Sequence, residues 1–220
     1  KMNQYGEVLF IKQIGTSEYD FGDLVKIDPF DRSIVVIGKT RGKFPFNVKT
    51  GDMEIVAIKL NSSGDILFIK QFGSKGNYVY PISAAIDLFD RSIVILASVY
   101  PYSFAIYRFS STGNKLWQKQ FGEENILSTS LSIDSYDRSI VITGNIDNDE
   151  KEENKNVFVA KYSQLGALLW IKQFGTEEND YSEGVVIDLY DRSIVIIGYT
   201  YGAFLDNVKT GDSDIFIARL

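Results

Sequence analysis

The feature that most constrains the fold of this 220-residue chain is an internal repeat. Two strings each occur four times and stay in phase, Lys-Gln-(Phe/Ile)-Gly and Ile-Asp-x-(Phe/Tyr)-Asp-Arg-Ser-Ile-Val. The first string closes at Gly15, Gly73, Gly122 and Gly175, and the second begins at Ile27, Ile86, Ile133 and Ile187. A repeat of about 50 residues is typical of architectures in which one small unit packs against copies of itself.

The first and last copies have nearly the same sequence. Residues 6–60 and 166–220 align without a gap and are identical at 30 of 55 positions. The middle copies diverge before their last strand, where copy two is shortened to residues 99–102 and copy three carries the acidic segment 147–154. We predict one domain, residues 1–220, with repeat units at about 6–60, 64–109, 113–162 and 166–220.

Within each copy the pattern predicts β-strands. The apolar runs are short and rich in β-branched and aromatic residues, and no helical spacing is sustained. In copy one we predict strands at Glu7–Gln13, Asp23–Asp28, Ser33–Lys39 and Glu54–Leu60. The breaks are short and rich in Asp, Asn, Ser and Gly, which favours antiparallel hairpins. Four short antiparallel strands at this period describe one blade of a β-propeller.

The phase of the repeat predicts how the two ends meet. If Asp23–Asp28 begins a blade, the chain starts with an outermost strand that lacks three inner ones, and it ends with three inner strands that lack an outermost one. We therefore predict an all-β fold, a β-propeller of four four-stranded antiparallel blades. The ring is closed by pairing of the N-terminal strand Glu7–Gln13 with the C-terminal strand Asp214–Leu220.

The absence of cysteine and histidine narrows the chemistry of the chain. It excludes disulfides, a thiolate nucleophile and Cys-rich zinc sites, and it removes the usual general base and the commonest transition-metal ligand. The net charge of −6 repels a phosphate backbone. No apolar run reaches the roughly 18 residues of a membrane span. We expect no enzyme activity, no cofactor, no metal, no nucleic-acid partner and no membrane span.

Four segments of the last copy resemble a known family, the SBBP-type bacterial β-propeller repeats. They are Lys172–Thr176, Gly184–Asp188, Gly198–Phe204 and Asp214–Arg219. The resemblance covers essentially the whole chain and implies a propeller with a binding or scaffolding role at the cell surface or in secretion. The family is usually seven-bladed, so four blades, eight from two chains and part of a longer ring all stay open. Where the family has Ser-Ser-Gly-Asn, this chain has Asp-Arg-Ser, and we expect a different turn there because Asp tolerates the left-handed conformation less well than Gly.

The Asp-x-(Phe/Tyr)-Asp-Arg motif is the first candidate site. It comprises Asp28/Asp31/Arg32, Asp87/Asp90/Arg91, Asp134/Asp137/Arg138 and Asp188/Asp191/Arg192. One interpretation is a ring of carboxylates that holds a cation at one mouth of the channel. The other is a hairpin turn in which Asp caps the backbone and Arg pairs with a neighbour.

Two long loops, found only in copies one and four, form the second candidate. If the ring closes with four blades, they are neighbours and make a composite groove for a peptide, a sugar or a partner protein. The predicted ligand-binding residues are Phe44, Asn47, Lys49, Thr50 and Asp52 with Phe204, Asn207, Lys209, Thr210 and Asp212. The alternative is a pair of ordinary edge loops, each with a buried Phe.

These features lead to three functional hypotheses. The first is a non-enzymatic interaction or scaffold module that presents propeller loops to a protein or glycan. The second is a structural subunit of a larger assembly, such as a homo-oligomer, or a fragment of a longer repeat protein. A glycoside-acting enzyme is disfavoured, because its two carboxyl groups need unlike environments whereas these recur in every copy. The acidic run from Asp147 to Glu150 loosely resembles a calcium loop or is a solvated loop.

Overall fold

The computed structural model describes residues 1–100, 103–121, 126–147 and 154–220. These residues form fifteen β-strands in four antiparallel sheets and no helix. The all-β prediction is therefore confirmed. None of the described residues belongs to a helix long and apolar enough to cross a membrane.

Each sheet is a meander in which strands adjacent in sequence are neighbours. Sheet 1 contains β1 (Asp20–Ile27), β2 (Ile34–Thr40), β3 (Glu54–Leu60) and β4 (Ile66–Phe72). Sheet 2 contains β5 (Val79–Ile86), β6 (Ile93–Val99), β7 (Ser103–Phe109) and β8 (Lys115–Phe121). Sheet 3 contains β9 (Ile126–Ile133), β10 (Ile140–Asp147), β11 (Lys155–Tyr162) and β12 (Leu168–Phe174). Sheet 4 contains only β13 (Asp180–Ile187), β14 (Ile194–Thr200) and β15 (Asp214–Arg219).

The phase predicted for the repeat is confirmed by the order of the strands. Each sheet begins with the strand before the Asp-Arg-Ser turn, and each four-stranded sheet ends with the strand that carries Lys-Gln or its equivalent. Sheet 4 ends at β15, which pairs with β14. No strand of the described residues pairs with the other edge of β15.

The predicted strand Glu7–Gln13 is wrong as a strand within this structure. Its residues are extended, but only Val8 forms a bridge, with Met2. The turn before it is held by Asn3, whose Oδ1 accepts the backbone N–H groups of Tyr5 and Glu7. A strand requires a partner along its length, and the described residues supply one only at Val8. Closure of the ring by pairing of this segment with β15 stays a prediction.

The chain divides into two compact units. The first comprises Lys1–Pro81 with Ser111–Asn114, and the second comprises Ile82–Ser110 with Lys115–Leu220. The first unit contains sheet 1, whose apolar face packs with Phe10 and Ile14 of the N-terminal segment.

The core of the second unit lies between consecutive sheets. Because successive side chains of a strand point to opposite faces, Phe158 of β11 packs with Leu96 of sheet 2, whereas Val157 and Val159 pack with Phe216 of sheet 4. Sheet 3 is thus apolar on both faces.

Candidate functional site

The Asp-x-(Phe/Tyr)-Asp-Arg motif forms a tight turn. In copy one the backbone N–H of Phe30 donates to Asp28 Oδ1 at 3.0 Å, and that of Ser33 donates to Asp31 Oδ1 at 2.9 Å. The left-handed residue of the turn is arginine rather than aspartate, with φ between 60° and 64° in the four copies. The residue that adopts the left-handed conformation is therefore not the aspartate considered from the sequence.

Two arginines of these turns, Arg138 and Arg192, bind the carboxylates of the preceding turn. Arg138 donates from Nε to Asp87 Oδ2 at 2.8 Å and also pairs with Asp90. Arg192 donates from Nε to Asp134 Oδ2 at 3.0 Å. Among the described residues there is no group of three or more side chains suited to a metal ion. The geometry favours a structural turn over a cation-binding ring.

These contacts lower the pKa of the carboxyl groups that receive them. Burial raises the pKa of Asp90, but hydrogen bonds from Ser92 and the charges of Arg108 and Arg138 outweigh it and bring the pKa to about 2. Asp137 follows the same balance and also has a pKa of about 2. Both groups are therefore ionised at neutral pH and act as fixed acceptors.

The long loop of copy one holds the last strand of sheet 1. Asn47 Oδ1 accepts the backbone N–H of Gln71 at 2.8 Å, and Asn47 Nδ2 donates to the carbonyl of Ile69 at 3.4 Å. The side chain of Asn47 thus replaces a backbone partner at the outer edge of β4. The loop therefore helps to hold β4 at the edge of sheet 1.

The side chain of Gln71 completes this arrangement from the strand. Its Oε1 accepts the backbone N–H of Phe44 at 2.9 Å, and its Nε2 donates to Gly42 O at 2.8 Å and to Glu54 Oε2 at 2.6 Å. Glu54 is fully buried and also accepts the backbone N–H groups of Thr50 and Gly51. Every polar atom of the Gln71 amide is therefore paired.

The loop of copy four presents the same groups without a fourth strand. Phe204, Asn207 and Asp214 occupy the positions of Phe44, Asn47 and Glu54. Among the described residues, Asn207 Nδ2 donates to Leu205 O within its own loop, and no strand backbone receives it. These residues line a cavity of about 690 Å³ that runs along β15. We call this cavity, with the free edge of β15, the β15 groove.

The apolar side chains beside the β15 groove are exposed. Ile215 and Ile217 have exposed fractions of 84% and 73%. Their equivalents in sheet 1, Ile55 and Ala57, are buried. An exposed pair of large apolar side chains next to an unpaired strand edge is typical of an interaction surface.

The other predicted polar loop residues form hydrogen bonds at their own loops or are exposed to solvent. Thr50 and Thr210 donate from their hydroxyl groups to Glu54 and Asp214, and Lys49 donates to a backbone carbonyl of its own loop. Asp52, Lys209 and Asp212 are exposed. Phe44 is buried, as the edge-loop alternative predicts, and Phe204 packs 5.2 Å from Phe216 between ring centroids. The ten residues lie five in each unit, and the composite groove stays a prediction.

Sequence reasoning missed the role of the Lys-Gln dipeptide. The glutamine of this string is present in all four copies, and it was taken only as a landmark of the repeat. A polar residue that recurs within an apolar strand is a signal for a specific hydrogen-bond role. The acidic run considered for calcium, Asp147 to Glu150, lies outside the described residues except for Asp147.

A second surface of the second unit carries three tyrosines. The ring centroids of Tyr181 and Tyr199 are 4.9 Å apart in a stacked arrangement, and Tyr201 lies 6.0 Å from Tyr199. Lys155 Nζ lies 6.0 Å from the centre of the Tyr181 ring. We call these three side chains the tyrosine cluster.

No protein-family model matches the chain, and no curated protein matches it. Similar solved structures include a protein of unknown function from Bacteroides caccae, at 13% identity and TM-score 0.43, covering 82% of this chain and 65% of that one. A GH43 β-1,3-galactosidase has 8% identity and TM-score 0.46, covering 89% and 70%. A Synechocystis apocarotenoid oxygenase has 11% identity and TM-score 0.39, covering 89% and 64%. The chain thus spans about two thirds of their length.

Proposed function

We propose that the chain is a non-enzymatic interaction module of β-propeller type that binds an extended protein segment in the β15 groove. The observation that carries this proposal is the difference between sheets 1 and 4. The groups that hold the fourth strand in sheet 1 recur in sheet 4, where no described strand occupies them.

The binding mode is strand addition. A peptide that pairs with β15 gains main-chain hydrogen bonds along the edge, which are indifferent to sequence. Specificity comes from a glutamine that reaches the backbone N–H of Phe204 and the carboxylate of Asp214, as Gln71 reaches Phe44 and Glu54. In the register of sheet 1, the apolar residue after the glutamine lies opposite Ile215, and the aliphatic stem of the lysine before it lies opposite Ile217.

The proposal includes the finer architecture. The four sheets are the blades, and a strand that pairs with β15 completes the fourth blade; an N-terminal segment that supplies this strand closes a ring of four within one chain or joins the blades of two chains. The four-strand meander of sheets 1 to 3 supports this, because each has the strand order of a blade. The structural-subunit hypothesis uses the same edge, with another protein chain as the ligand.

The test is binding of a labelled peptide with the sequence of residues 65–74, followed by fluorescence anisotropy. We expect saturable binding that is lost in a peptide with Gln71→Ala. In the protein, Asn207→Ala is expected to weaken binding and Asn47→Ala to leave it unchanged, because Asn47 already binds β4. Absence of binding to the wild-type protein, or equal binding by both peptides, contradicts the proposal.

A glycan is the second candidate ligand, and the tyrosine cluster favours it. Stacked and edge-on aromatic rings at a surface offer apolar faces to sugar rings, while the phenol groups supply hydrogen bonds. A glycan array with the wild-type protein and Tyr199→Ala separates the two. Glycan binding that the variant abolishes supports the second candidate, and an empty array together with peptide binding removes it.

A further inference from the structure

The N-terminal segment makes a turn contact that the fourth strands β4 and β8 also make. The ring of Phe10 packs on Gly64, a turn glycine with a φ of 96°. A Cβ atom at the position of Gly64 would lie 3.1 Å from that ring. Phe68 of β4 makes the same contact with Gly113, and Trp117 of β8 makes it with Gly166. Each contact joins a fourth strand to the turn before the fourth strand of the following sheet. Residues 8–14 therefore occupy a fourth-strand position.

The apolar face of sheet 1 lacks the neighbour that the same face of sheet 4 has. In sheet 4 this face packs against Val141, Val157 and Val159 of sheet 3. In sheet 1 it borders a cavity of about 540 Å³, and Val25 and Ile27 are 63% and 57% exposed.

By the alignment of the repeats, the missing neighbours are on sheet 4. Val195, Ile215 and Ile217 occupy the positions of Val141, Val157 and Val159. Ile215 and Ile217 are exposed. The two apolar surfaces are thus complementary in the way that sheets 3 and 4 already are.

The Asp-Arg turns also show a contact that Arg138 and Arg192 make and that Arg32 does not make with the described residues. Arg138 stacks on Phe89 at 4.8 Å and Arg192 stacks on Tyr136 at 4.7 Å, each beside the carboxylates that it binds. The guanidinium of Arg32 is exposed and makes no ion pair or hydrogen bond with the described residues. The equivalent aromatic for Arg32 is Tyr190, which is 97% exposed.

We propose that the β15 groove binds the N-terminal segment of a second copy of this chain, so that copies join head to tail. This inference rests on the proposed function and names its ligand. Both surfaces are exposed in the structure of one chain, and each is present once per chain. Such a pair forms a heterologous interface, which generates a ring or an open chain of copies.

The register follows from sheet 1, where Val56 pairs with Gln71 and Ile58 pairs with Ile69. Ile215–Ala218 therefore pairs with Ile11–Ile14 of the second copy. The amide of Gln13 then lies where Gln71 lies in sheet 1, next to Phe204 and Asp214.

Arg32 of the second copy contacts the Asp-Arg turn of copy four in the proposed interface. Its guanidinium reaches the Asp188 and Asp191 carboxylates and covers Tyr190. Arg219 already pairs with Asp191, as Lys161 pairs with Asp137 beside Arg192. The site therefore accommodates a second cation.

The two N-terminal residues limit how far the pairing extends. Met2 bridges Val8, and the carbonyl of Lys1 accepts the backbone N–H of Leu9 at 2.9 Å. In sheet 1 the corresponding positions belong to the end of β3, which Arg219 and Leu220 match. Removal of Lys1 and Met2 is therefore expected to free this edge and to strengthen self-association in the sedimentation experiment below.

The experiment is sedimentation velocity over a concentration series with charge variants. We expect reversible self-association of the wild type that Arg32→Glu weakens at least about tenfold, since charge pairs desolvated at an interface contribute about 1.5 kcal/mol or more. A chain that carries both Arg32→Asp and Asp191→Arg is expected to recover it. Lys43→Glu, an exposed change of the same charge elsewhere in the first unit, is expected to have no such effect.

The outcomes separate this inference from the proposed function. A wild-type monomer at all concentrations, or self-association that Arg32→Glu leaves unchanged, overturns the second copy as ligand. If the peptide of residues 65–74 still binds that monomer, the β15 groove stands with another partner. If the peptide also fails to bind, the proposed function fails with it. Dissociation of the assembly by the peptide supports both.

Discussion

Asn47 and Gln71 bind each other across the outer edge of sheet 1, with 2.8 Å between Asn47 Oδ1 and the backbone nitrogen of Gln71. The same loop in copy four places Asn207 at a strand edge that no described strand occupies. One sequence motif therefore holds a strand in copy one and lies beside an unpaired strand edge in copy four, where we propose the binding site.

This difference predicts opposite effects for two matched substitutions. Asn47→Ala is expected to lower the free energy of unfolding by about 1 kcal/mol, because it removes a hydrogen bond and leaves the N–H of Gln71 unpaired. Asn207→Ala is expected to change it by less than about 0.5 kcal/mol, since its side chain is exposed. Urea unfolding measures both values. Equal destabilisation by the two substitutions would show that Asn207 already has a partner of the same kind.

Glu54 and Asp214 make a second matched pair. Glu54→Ala leaves the amide of Gln71 and the N–H of Gly51 without their acceptor in a buried site, so we expect a loss of about 2 kcal/mol or more. Asp214→Ala removes exposed hydrogen bonds from Thr210 and Gly211 and is expected to cost less. Thermal and urea unfolding of the two variants decide this, and an equal cost contradicts the account of the β15 groove.

Two arginines with positive φ, Arg32 and Arg138, allow the cost of backbone strain and the gain from ion pairing to be measured separately. Arg32→Gly relieves the positive φ without the loss of an ion pair and is expected to stabilise the protein by up to about 1 kcal/mol. Arg138→Gly relieves the same strain but removes the contacts with Asp87 and Asp90, and is expected to destabilise it. Both effects are measured as changes in the unfolding midpoint at equal slope. A loss of stability with Arg32→Gly in dilute protein would mean that Arg32 has a partner within one chain.

The Asp90 and Asp137 carboxyl groups predict an acid-dependent loss of stability. Their folded pKa of about 2 lies below the ordinary value of 3.8, so the unfolded state binds protons first. Their contribution is present above about pH 4 and is lost as the pH falls towards 2. We expect Asp90→Asn to lower stability at neutral pH and to match the wild type near pH 2. Asp52→Asn, at an exposed side chain, is the control, and a wild-type difference that persists at low pH contradicts the assignment.

The strands could be predicted from the repeat because strand and turn preferences depend on residues that are close in sequence. The β-branched runs and Asp-Arg turns fixed β3 to the residue, and the phase of the copies placed the strand that carries Gln71 at the end of sheet 1. These features depend on neighbours within about 20 residues, which a single copy contains.

The parts that could not be predicted depend on a partner at long range. Residues 8–14 have the sequence of a strand, yet a strand exists only where another edge pairs with it. The role of Gln71 also required the structure, because its partners are 17 to 29 residues away, at Glu54, Phe44 and Gly42. The residues predicted to bind a ligand were correctly placed in loops, but Asn47 is occupied by β4 and only Asn207 faces a free edge.

Hydrogen–deuterium exchange of β15 tests the central claim most directly. The outer-edge amides between Ile215 and Ala218 are expected to exchange fast in dilute protein, because no described strand protects them. Addition of the peptide of residues 65–74 is expected to slow them, while the Gln71→Ala peptide has little effect. Slow exchange before any addition, or no change on addition, would contradict a free edge that binds a strand.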